Sequence, residues 1–474
     1  MDTCMASNKQ GNIANFTPTK RFFVDMLTRD IDLEDAILDL LDNCLDGVAR
    51  SQKKNPDEIN YQGYEVNISF DKKHFIIEDN CGGIPSDSAE YAFRMGRPSD
   101  APDEKLATVG VYGIGMKRSI FKMGQYCEIE TQHSVEDAFK VVIEESWLAS
   151  DKDWEIPMQK TLSMDDVFGT KITIKKLHKS VSDEFSSKAF STKLTNKVVY
   201  AYSYIINKGF SVKINGAKIN PNPINLRYED IETAGRSIQP YIYKATIDDV
   251  EVKLIVGFNA PLVTDEVVEQ EKKSPTRKTE NAGWTIVCND RIVVYRDKTE
   301  LTGWGTDFAR YHTQFIGISG IVYFKSNYPE KLPITTTKRG IDTGSRLFLK
   351  IRKHIIEGTK IFIDYTNKWK GNELIKKSNE RLQSSKEASP LEIIEKFQSN
   401  EDKWTKVQNR KDEIKFRPEL PVPESVLEKA KKLSFSRKSE DIELVADYLS
   451  LDEGYTPTDV GEACFDFVYK EALK

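Results

Sequence analysis

The stretch LEDAILDLLDNCLDGVAR, residues 33–50, decides the fold of the first part of the chain. Its apolar residues recur every three or four positions from Leu33 to Val48, which predicts one amphipathic helix. Asp30 or Asp32 is suited to cap the first turn through its side chain. The opposite face carries Asp35, Asp39, Asp42, Asn43 and Asp46. Crowded carboxylates repel one another unless water or a cation screens them. This face therefore indicates either a solvated acidic surface or a cation-dependent site.

Composition restricts the class of protein. The chain has 474 residues, 39% of them hydrophobic and 30% charged, with a formal net charge of −5. This length allows roughly three domains, and the acidic balance gives no global attraction to nucleic acid or anionic membranes. The six cysteines lack C-x-x-C pairing, which disfavours a zinc site and a disulfide framework. No apolar run approaches the roughly 20 residues of a membrane span, and there is no apolar signal region. We expect a cytoplasmic protein without a membrane partner.

Hydrophobic patterning predicts an α+β fold. The first half should contain a β-hairpin of Tyr64–Phe70 and His74–Glu78, a helix opened by Pro85, further strands at Tyr126–Thr131, Phe139–Ile143 and Thr170–Lys175, and a helix at Lys188–Asn207. The second half should contain strands at Ser211–Ile214, Ile242–Phe258, Trp284–Tyr295 and Ile316–Phe324, then a helix at about Ser345–Asp364. Beyond 370 the sequence is charged and predicts helices, interrupted by the Pro-rich segment Arg417–Pro423.

Two glycine-rich segments change how the acidic helix is interpreted. The first, Asp79-Asn80-Cys81-Gly82-Gly83, follows a predicted strand, and the second, Gly110-x-x-Gly113-x-Gly115-Met116-Lys117, opens a predicted helix. Glycine lets backbone amides approach phosphate oxygens closely, and a helix N-terminus adds positive charge. The second segment is not a P-loop, and it lacks the strand and acidic partner of a Rossmann fingerprint. Taken alone, it leaves nucleotide binding and an ordinary loop both open.

The order of the pieces resembles the GHKL ATPases, the superfamily of gyrase, heat-shock chaperones, histidine kinases and MutL, and is closest to its MutL- and MORC-like members. The resemblance is carried by Asp39-x-x-x-Asn43 on a helix, Asp79 to Gly83 after a strand, the glycine loop, and Gly169-Thr170-Lys171-Ile172 on a strand. It implies a Bergerat-type α/β sandwich that binds ATP with Mg²⁺.

The resemblance also implies a role for each matching residue. Asp39 occupies the position of the general base that orients the attacking water, and Asn43 that of the Mg²⁺ ligand. Asp79 matches the aspartate that binds the adenine amino group, and Thr170 matches the threonine that supports it, partly through water. The remaining ATP contacts would be Gly83, Gly110, Gly113, Gly115, Met116 and Lys117.

Two positions depart from the family pattern. Many members have glutamate where this chain has Asp39, and the shorter side chain puts the reach to the water in doubt. Slow hydrolysis, or a base supplied by Asp42, would follow. Cys81 replaces the first glycine of D-x-G-x-G, and its side chain would narrow the floor beneath the base unless Gly82 lets the turn shift.

The second half resembles the S5-like transducer domain of MutL, MORC and gyrase relatives, which sends a lysine to the γ-phosphate. Lys338 in TTTKRG matches that lysine, with Arg339 as its rival and an ordinary exposed cation as the alternative to both. Trp284–Tyr295 resembles a transducer segment with its Asn-Asp-Arg turn. The expected organisation is an N-terminal arm (1–20), an ATPase domain (21–208), a transducer (209–368) and a charged helical region (369–474).

The resemblance implies a function as well as a fold. ATP binding would order the glycine loop and close a homodimer, which hydrolysis reopens. The expected client is DNA, in repair, chromatin-like compaction or prokaryotic antiviral defence. The basic residues of Glu269–Ala282 could contact DNA, although a solvated loop would look the same. Residues 369–474 could bind a nuclease or methylase partner. The alternatives are a chaperone-like ATPase and a non-hydrolysing, ATP-bound interaction scaffold.

Overall fold

An eight-stranded and a seven-stranded sheet organise the chain in this computed structural model. Contacts divide the chain after Val422 into two units. The structure describes residues 19–53, 58–96, 105–110, 113–150, 154–161, 167–230, 236–264, 268–269, 281–399, 404–407, 412–423, 436–451 and 454–472. Most of the expected N-terminal arm, parts of the loop between 96 and 113, and residues 270–280 of the basic loop lie outside these ranges.

The helices of the first unit include the predicted ones and some that were not predicted. They are α1 (Lys20–Arg29), α2 (Leu33–Gln52), α3 (Ala89–Phe93), α4 (Gly115–Met123), α5 (Glu145–Ala149), α6 (Lys179–Phe185), α7 (Lys188–Asn207), α8 (Arg346–Lys368), α9 (Asn372–Ser384) and α10 (Pro390–Gln398). The second unit contains α11 (Ser439–Tyr448) and α12 (Pro457–Ala472). The edge-on ring contact of Tyr448 with Phe467 joins these last two helices.

The first sheet is largely antiparallel, as predicted. Its strands are β1 (Glu65–Phe70), β2 (His74–Asp79), β3 (Gly124–Ser134), β4 (Asp137–Ile143), β5 (Met158–Lys160), β6 (Gly169–Leu177), β7 (Ser211–Ile214) and β8 (Ala217–Lys218). They lie in the order β5-β4-β3-β6-β2-β1-β7-β8. The predicted hairpin is confirmed, since β1 and β2 pair antiparallel with Ile68 opposite Ile77. The pairing of β1 with β7 is parallel.

The second sheet has the order β13-β12-β14-β11-β10-β17-β16. Its strands are β10 (Tyr241–Ile247), β11 (Val250–Phe258), β12 (Gly283–Cys288), β13 (Arg291–Asp297), β14 (Ile318–Lys325), β16 (Thr405–Lys406) and β17 (Glu413–Phe416). A separate pair joins β9 (Leu226–Tyr228) to β15 (Lys386–Ala388). Apolar side chains of α8 pack on one face of the second sheet and those of α10 on the other.

Three predictions about the second half are wrong in detail. Trp284–Tyr295 was expected as a strand but forms the hairpin of β12 and β13, because Asn289 and Asp290 adopt positive φ angles of 44° and 67°. Ile242–Phe258 was expected as one strand but forms a hairpin, because Asp248 and Asp249 adopt positive φ angles of 49° and 64° and reverse the chain. The region after 368 was expected to be helical, but it also contributes strands. Its β17 joins the second sheet beside β10, with Ile242 opposite Phe416.

The acidic helix is confirmed as α2, but its acidic face is not solvated. Asp39 is 3% exposed, Asp42 0% and Asp46 4%. The apolar side of the helix packs on the first sheet in one continuous core. Asp32 stands at the N-cap but makes no side-chain capping bond, so that part of the prediction is wrong. A helix buried on both sides needs donors for its carboxylates, and these donors define the site.

The described helices include none that is long and apolar enough to cross a membrane. The cysteines within the described ranges form no disulfide: Cys44, Cys81, Cys127, Cys288 and Cys464.

Candidate functional site

The carboxylate of Asp46 binds the start of the glycine loop to α2. It accepts hydrogen bonds from the backbone amides of Val109, at 2.6 Å, and Gly110, at 2.9 Å. A Cβ on residue 110 would lie 2.6 Å from Asp46 Oδ2, so the close approach requires glycine. Burial raises the pKa of Asp46, because a carboxylate removed from water is harder to ionise. The start of the loop therefore lies directly on the acidic helix.

Asp39 faces the beginning of α4. Its Oδ2 accepts a hydrogen bond from Arg118 Nε and forms an ion pair with a terminal nitrogen of the same guanidinium group, each at 2.5 Å. Gly115 lies beside it, with the position of a Cβ only 3.5 Å from the Asp39 Cβ. Burial raises the pKa of Asp39, and the positive charges of Lys338 and Arg118 offset this only in part. The result is a buried carboxylate of increased basicity, held in one orientation.

The N-terminus of α4 combines two sources of positive charge. Its first amides have no side-chain cap, since Ile114 occupies the N-cap position. Lys117 is 6% exposed, and its Nζ donates to the Gly113 carbonyl at 2.6 Å. Burial lowers the pKa of Lys117 to about 8. Met116 points into the core of the first sheet. A buried ammonium group beside a helix N-terminus is a site for an anion.

Asn43 is the one polar position of the predicted set on α2 with an open side chain. It is half-buried, and within the described ranges its carboxamide makes no hydrogen bond; only its backbone carbonyl is near Arg50, at 3.5 Å. The next residue, Cys44, directs its thiol at Asp79 Oδ2, at 3.3 Å. Asn43 therefore has a carboxamide that is open to a ligand.

Asp79 is the last residue of β2, and its carboxylate has several hydrogen-bond donors around it. Its Oδ1 accepts the Cys81 amide at 2.8 Å, and burial raises its pKa against the effect of these hydrogen bonds. The backbone amide of Thr170 also interacts with Asp79. The Thr170 hydroxyl, however, pairs with that of Thr131 at 3.0 Å rather than with the aspartate. Support of Asp79 by Thr170 thus comes from the backbone.

Cys81 fits into the turn after β2 without blocking it. Its side chain is 1% exposed, and Gly82 and Gly83 follow with positive φ angles of 99° and 62°. A Cβ on Gly83 would lie 2.1 Å from the Gln132 carbonyl oxygen, so the neighbouring strand requires glycine there. Both glycines thus take the left-handed backbone conformation that this turn requires.

Asp42 connects the acidic helix to the second sheet. Its Oδ1 accepts Tyr202 Oη at 2.7 Å and Arg291 Nε at 3.0 Å, and its Oδ2 accepts Lys338 Nζ at 3.0 Å. Burial would raise the pKa of Asp42, but the charges of Arg291 and Lys338 hold it below its usual range. With both oxygens occupied by donors, Asp42 is poorly suited to serve as a base.

Lys338 and Arg339 both contact α2, but at different turns of the helix. The same carboxylates that surround Lys338 raise its pKa although burial alone would lower it. Arg339 instead pairs with Asp35 at 2.6 Å, one turn before Asp39. Lys338 is therefore the one directed toward the predicted catalytic residues.

The Asn-Asp-Arg turn between β12 and β13 contacts the first half of the chain at three points. Arg291 binds Asp42, as described above. Asn289 donates from Nδ2 to the carbonyls of Thr108 and Ser326, each at 3.0 Å. Asp290 accepts Lys208 at 2.8 Å and Tyr61 at 3.1 Å. Thr108 directly precedes the glycine-loop amides, so this turn links the second sheet to the loop.

The acidic helix, the aspartate at the end of β2 and the glycine loop all lie in a segment that matches a known family. Residues 31–178 match the histidine kinase-, DNA gyrase B-, and HSP90-like ATPase family. This segment is therefore similar to the GHKL ATPases, a class that binds ATP, typically with Mg²⁺, and often dimerises. The match includes Asp39 and Thr170 but ends before Lys338. Among curated proteins, none matches the chain.

Sequence reasoning missed several contacts of this GHKL-like site. Arg118, Arg291 and Tyr202 were not predicted, although Arg118 directly follows the glycine loop. Asp46 was recognised only as part of an acidic face. The signal for Arg291 was the Asn-Asp-Arg turn, which was noted as a resemblance but not as a link to α2. For Tyr202, on α7, the sequence offers no signal.

Replacing Asp42 by Asn should lower the free energy of unfolding by about 3–5 kcal/mol near neutral pH, because two buried cations lose their counter-charge. Since the pKa of Asp42 is lowered in the folded state, its stabilisation exists above the ordinary carboxyl pKa and is lost as the pH falls through the lowered value. Denaturant unfolding of both proteins at several pH values measures this.

The matched control is Asp35→Asn on the same helix. The partners of Asp35 are Lys197 and Arg339, whose side chains are 30% and 35% exposed, so the loss should be about 1 kcal/mol or less. Equal losses for the two variants would contradict the assigned role of Asp42.

Proposed function

We propose that the chain is a Mg²⁺-dependent GHKL-type ATPase whose second sheet acts as a transducer. ATP binds between α2, the end of β2 and the glycine loop, and Lys338 reports its γ-phosphate to the second sheet. The observation that carries this proposal is that Gly110 from the glycine loop and Lys338 from the second half of the chain both contact one turn of α2, on Asp46 and Asp42.

The phosphate chain has a suitable receptor. Lys117 supplies a buried positive charge, and the uncapped amides of α4 supply a helix N-terminus. Gly113 and Gly115 flank that end without side chains. Among the described residues, Lys117 donates only to a neutral carbonyl, that of Gly113. A phosphate oxygen in its place would be a charged acceptor and would form a stronger hydrogen bond.

The residues present also fit a magnesium ion. No group of three or more His, Cys, Asp and Glu side chains in the described ranges could hold a metal alone. Asn43 offers one open amide oxygen, and Mg²⁺ commonly uses one or two protein ligands together with substrate phosphates and water. Asn43 would hold the ion, which when bound neutralises charge on the phosphates.

Asp39 is the proposed general base. Its raised pKa suits proton acceptance from water, but its ion pair with Arg118 stabilises the charged carboxylate and so opposes that transfer. The shorter aspartate side chain adds to this constraint. We therefore propose slow hydrolysis, with ATP retained for long periods between turnovers.

Asp79 is the proposed adenine ligand. Its carboxylate accepts hydrogen bonds from the Cys81 amide, the weak Cys44 thiol donor and the Thr170 backbone amide, and a carboxylate has lone pairs left for a further donor. A purine without an amino group at this position would leave a buried acceptor unpaired, which costs about 1–3 kcal/mol.

The wider function follows the MutL- and MORC-like resemblance. ATP would gate dimerisation, and the dimer would act as a clamp on DNA in repair, chromatin-like compaction or antiviral defence, with residues 369–474 binding a nuclease or methylase partner. The second candidate function is a non-hydrolysing, ATP-bound scaffold. It is favoured by the ion pair of Asp39 with Arg118, which occupies the proposed base.

Replacement of Asp39 by Ala should reduce steady-state phosphate release by about 10²- to 10⁴-fold, the usual contribution of a general base, while ATP binding persists. Phosphate release and nucleotide affinity are measured on the same preparations. Asp35→Ala, on the same helix, is the control and should retain its rate. Identical rates for wild type and Asp39→Ala would rule out the ATPase and leave the scaffold.

Lys338→Met should slow hydrolysis by about 10²-fold, since an electrostatic contact to the developing phosphate charge is lost. Arg339→Met is the matched control, because its partner Asp35 lies away from the phosphate site. Single-turnover hydrolysis at saturating ATP separates chemistry from binding. If the Arg339 variant is the slower one, Arg339 and not Lys338 is the reporting residue.

ATP binding at pH 8.5 should take up roughly half a proton or more per site. The pKa of Lys117 is about 8 in the ligand-free protein, so most Lys117 side chains are neutral at this pH, and nearby phosphate oxygens favour the charged form. Calorimetric titrations in buffers of different ionisation enthalpy give the number of protons. Lys117→Met should abolish the uptake, whereas Lys122→Met on the same helix should not; equal uptake in all three would place Lys117 away from the phosphates.

A non-hydrolysable ATP analogue should convert monomer to dimer and increase retention of DNA at moderate salt. Sedimentation velocity measures the first effect and filter binding over a salt series the second. A monomer in both nucleotide states contradicts gated dimerisation. Equal and negligible DNA retention with and without the analogue removes DNA as the client.

A further inference from the structure

Arg118 contacts the proposed general base directly. Its Nε donates to Asp39 Oδ2, and a terminal nitrogen of the same guanidinium group forms an ion pair with that oxygen, each at 2.5 Å. The pair is largely shielded from water, since 12% of the Arg118 side chain and 4% of the Asp39 side chain are exposed. Within the described ranges, the second terminal nitrogen has no acceptor. Arg118 therefore keeps a donor that is available to a further anion.

The proposed reaction brings the γ-phosphate close to this guanidinium group. A general base acts on a water molecule within hydrogen-bond reach, and that water attacks from about 3–3.5 Å. The γ-phosphorus would then lie within roughly 7 Å of the Asp39 carboxylate, which Arg118 already contacts. Rotation about the side-chain torsions of Arg118 covers the remaining distance.

The helix that carries Arg118 is fixed on α2, so only the side chain has to move. The hydroxyl of the next residue, Ser119, donates to the Ala36 carbonyl of α2 at 2.7 Å. The backbone amide of Arg118 donates to the Ile114 carbonyl at 3.1 Å, and Ile120 is buried in the core of the first sheet. The backbone at Arg118 is therefore held by the acidic helix, by its own helical turn and by the core.

A phosphate group is a stronger partner for the guanidinium group than Asp39 is. A phosphate group carries up to two negative charges, whereas a carboxylate carries one. The planar fork of an arginine also binds phosphate through two parallel hydrogen bonds to two oxygens. In the ion pair with Asp39, both contacting nitrogens share the single oxygen Oδ2. Charge and geometry thus both favour transfer of the guanidinium group to a phosphate.

We infer that Arg118 is a γ-phosphate ligand, which exchanges Asp39 for the γ-phosphate oxygens when a triphosphate binds. The exchange releases the Asp39 carboxylate for the attacking water. The positive charge that opposes proton transfer to Asp39 then stabilises the charge that develops on the transferred phosphoryl group. The inference rests on the proposed function, since it requires ATP beside Asp39. A diphosphate, which lacks the γ-phosphate, leaves the ion pair intact.

The test measures nucleotide preference in a background without the Asp39 carboxylate. Removing Arg118 alone would leave a buried, unpaired carboxylate, which destabilises the fold and repels any nucleotide. The full-length Asp39→Asn protein is therefore compared with the double variant Asp39→Asn/Arg118→Met. Isothermal titration calorimetry with Mg²⁺ gives the affinities for adenylyl imidodiphosphate, a non-hydrolysable ATP analogue, and for ADP. The double variant should lose about tenfold or more of the preference for the analogue over ADP, as expected for loss of a hydrogen bond to a charged group.

Lys122→Met in the same background is the matched control. Lys122 lies on the same helix but donates to the Thr28 carbonyl at 3.0 Å, so its replacement should leave the preference unchanged. Thermal unfolding midpoints verify that all variants are folded. Equal preferences with and without Arg118→Met would overturn the inference and leave the nucleotide site standing. If wild type binds neither nucleotide, the proposed function fails and the inference fails with it.

Discussion

The buried carboxylate of Asp42 is the interaction on which the arrangement of the two sheets depends. Removing a carboxylate from water costs several kcal/mol, and only well-placed partners recover that cost. Here Tyr202 belongs to α7, Arg291 to the second sheet and Lys338 to the loop before α8. The carboxylate is satisfied only when all three elements have docked on α2. The acidic helix can therefore be buried only when the second sheet is docked on it, because Asp42 takes one of its donors from that sheet.

The same principle governs the rest of α2. Each buried carboxylate is matched by donors from a different segment: Asp39 by Arg118 and Asp46 by the amides of Val109 and Gly110. A triphosphate entering beside this helix would be repelled by these carboxylates. In the proposed site, Lys117, Lys338 and a magnesium ion would have to outweigh that repulsion, so affinity for ATP would depend on the glycine loop and the second sheet being in place. Binding and the relative position of the sheets are then coupled.

The sequence predicted α2, the β1–β2 hairpin and the order of the nucleotide motifs because these depend on local periodicity and glycine placement. It did not predict how α2 would be covered. Arg291 lies 249 positions beyond Asp42, and no spacing rule connects residues so far apart. The solvated acidic face was therefore a reasonable alternative that tertiary contacts overrode. The hairpin within Ile242–Phe258 was missed because Asp248-Asp249 is a weaker turn signal than a glycine pair.

Hydrogen–deuterium exchange with and without Mg-ATP tests most directly whether nucleotide binding on α2 reaches the second sheet. Saturating Mg-ATP should slow exchange in two separated segments, the glycine loop with the first turn of α4 (residues 105–118) and the loop that carries Lys338 (residues 335–340). Magnesium without nucleotide should leave both unchanged. Saturating Mg-ATP that alters neither segment would contradict a nucleotide site on α2, and protection confined to residues 105–118 would contradict its coupling to the second sheet.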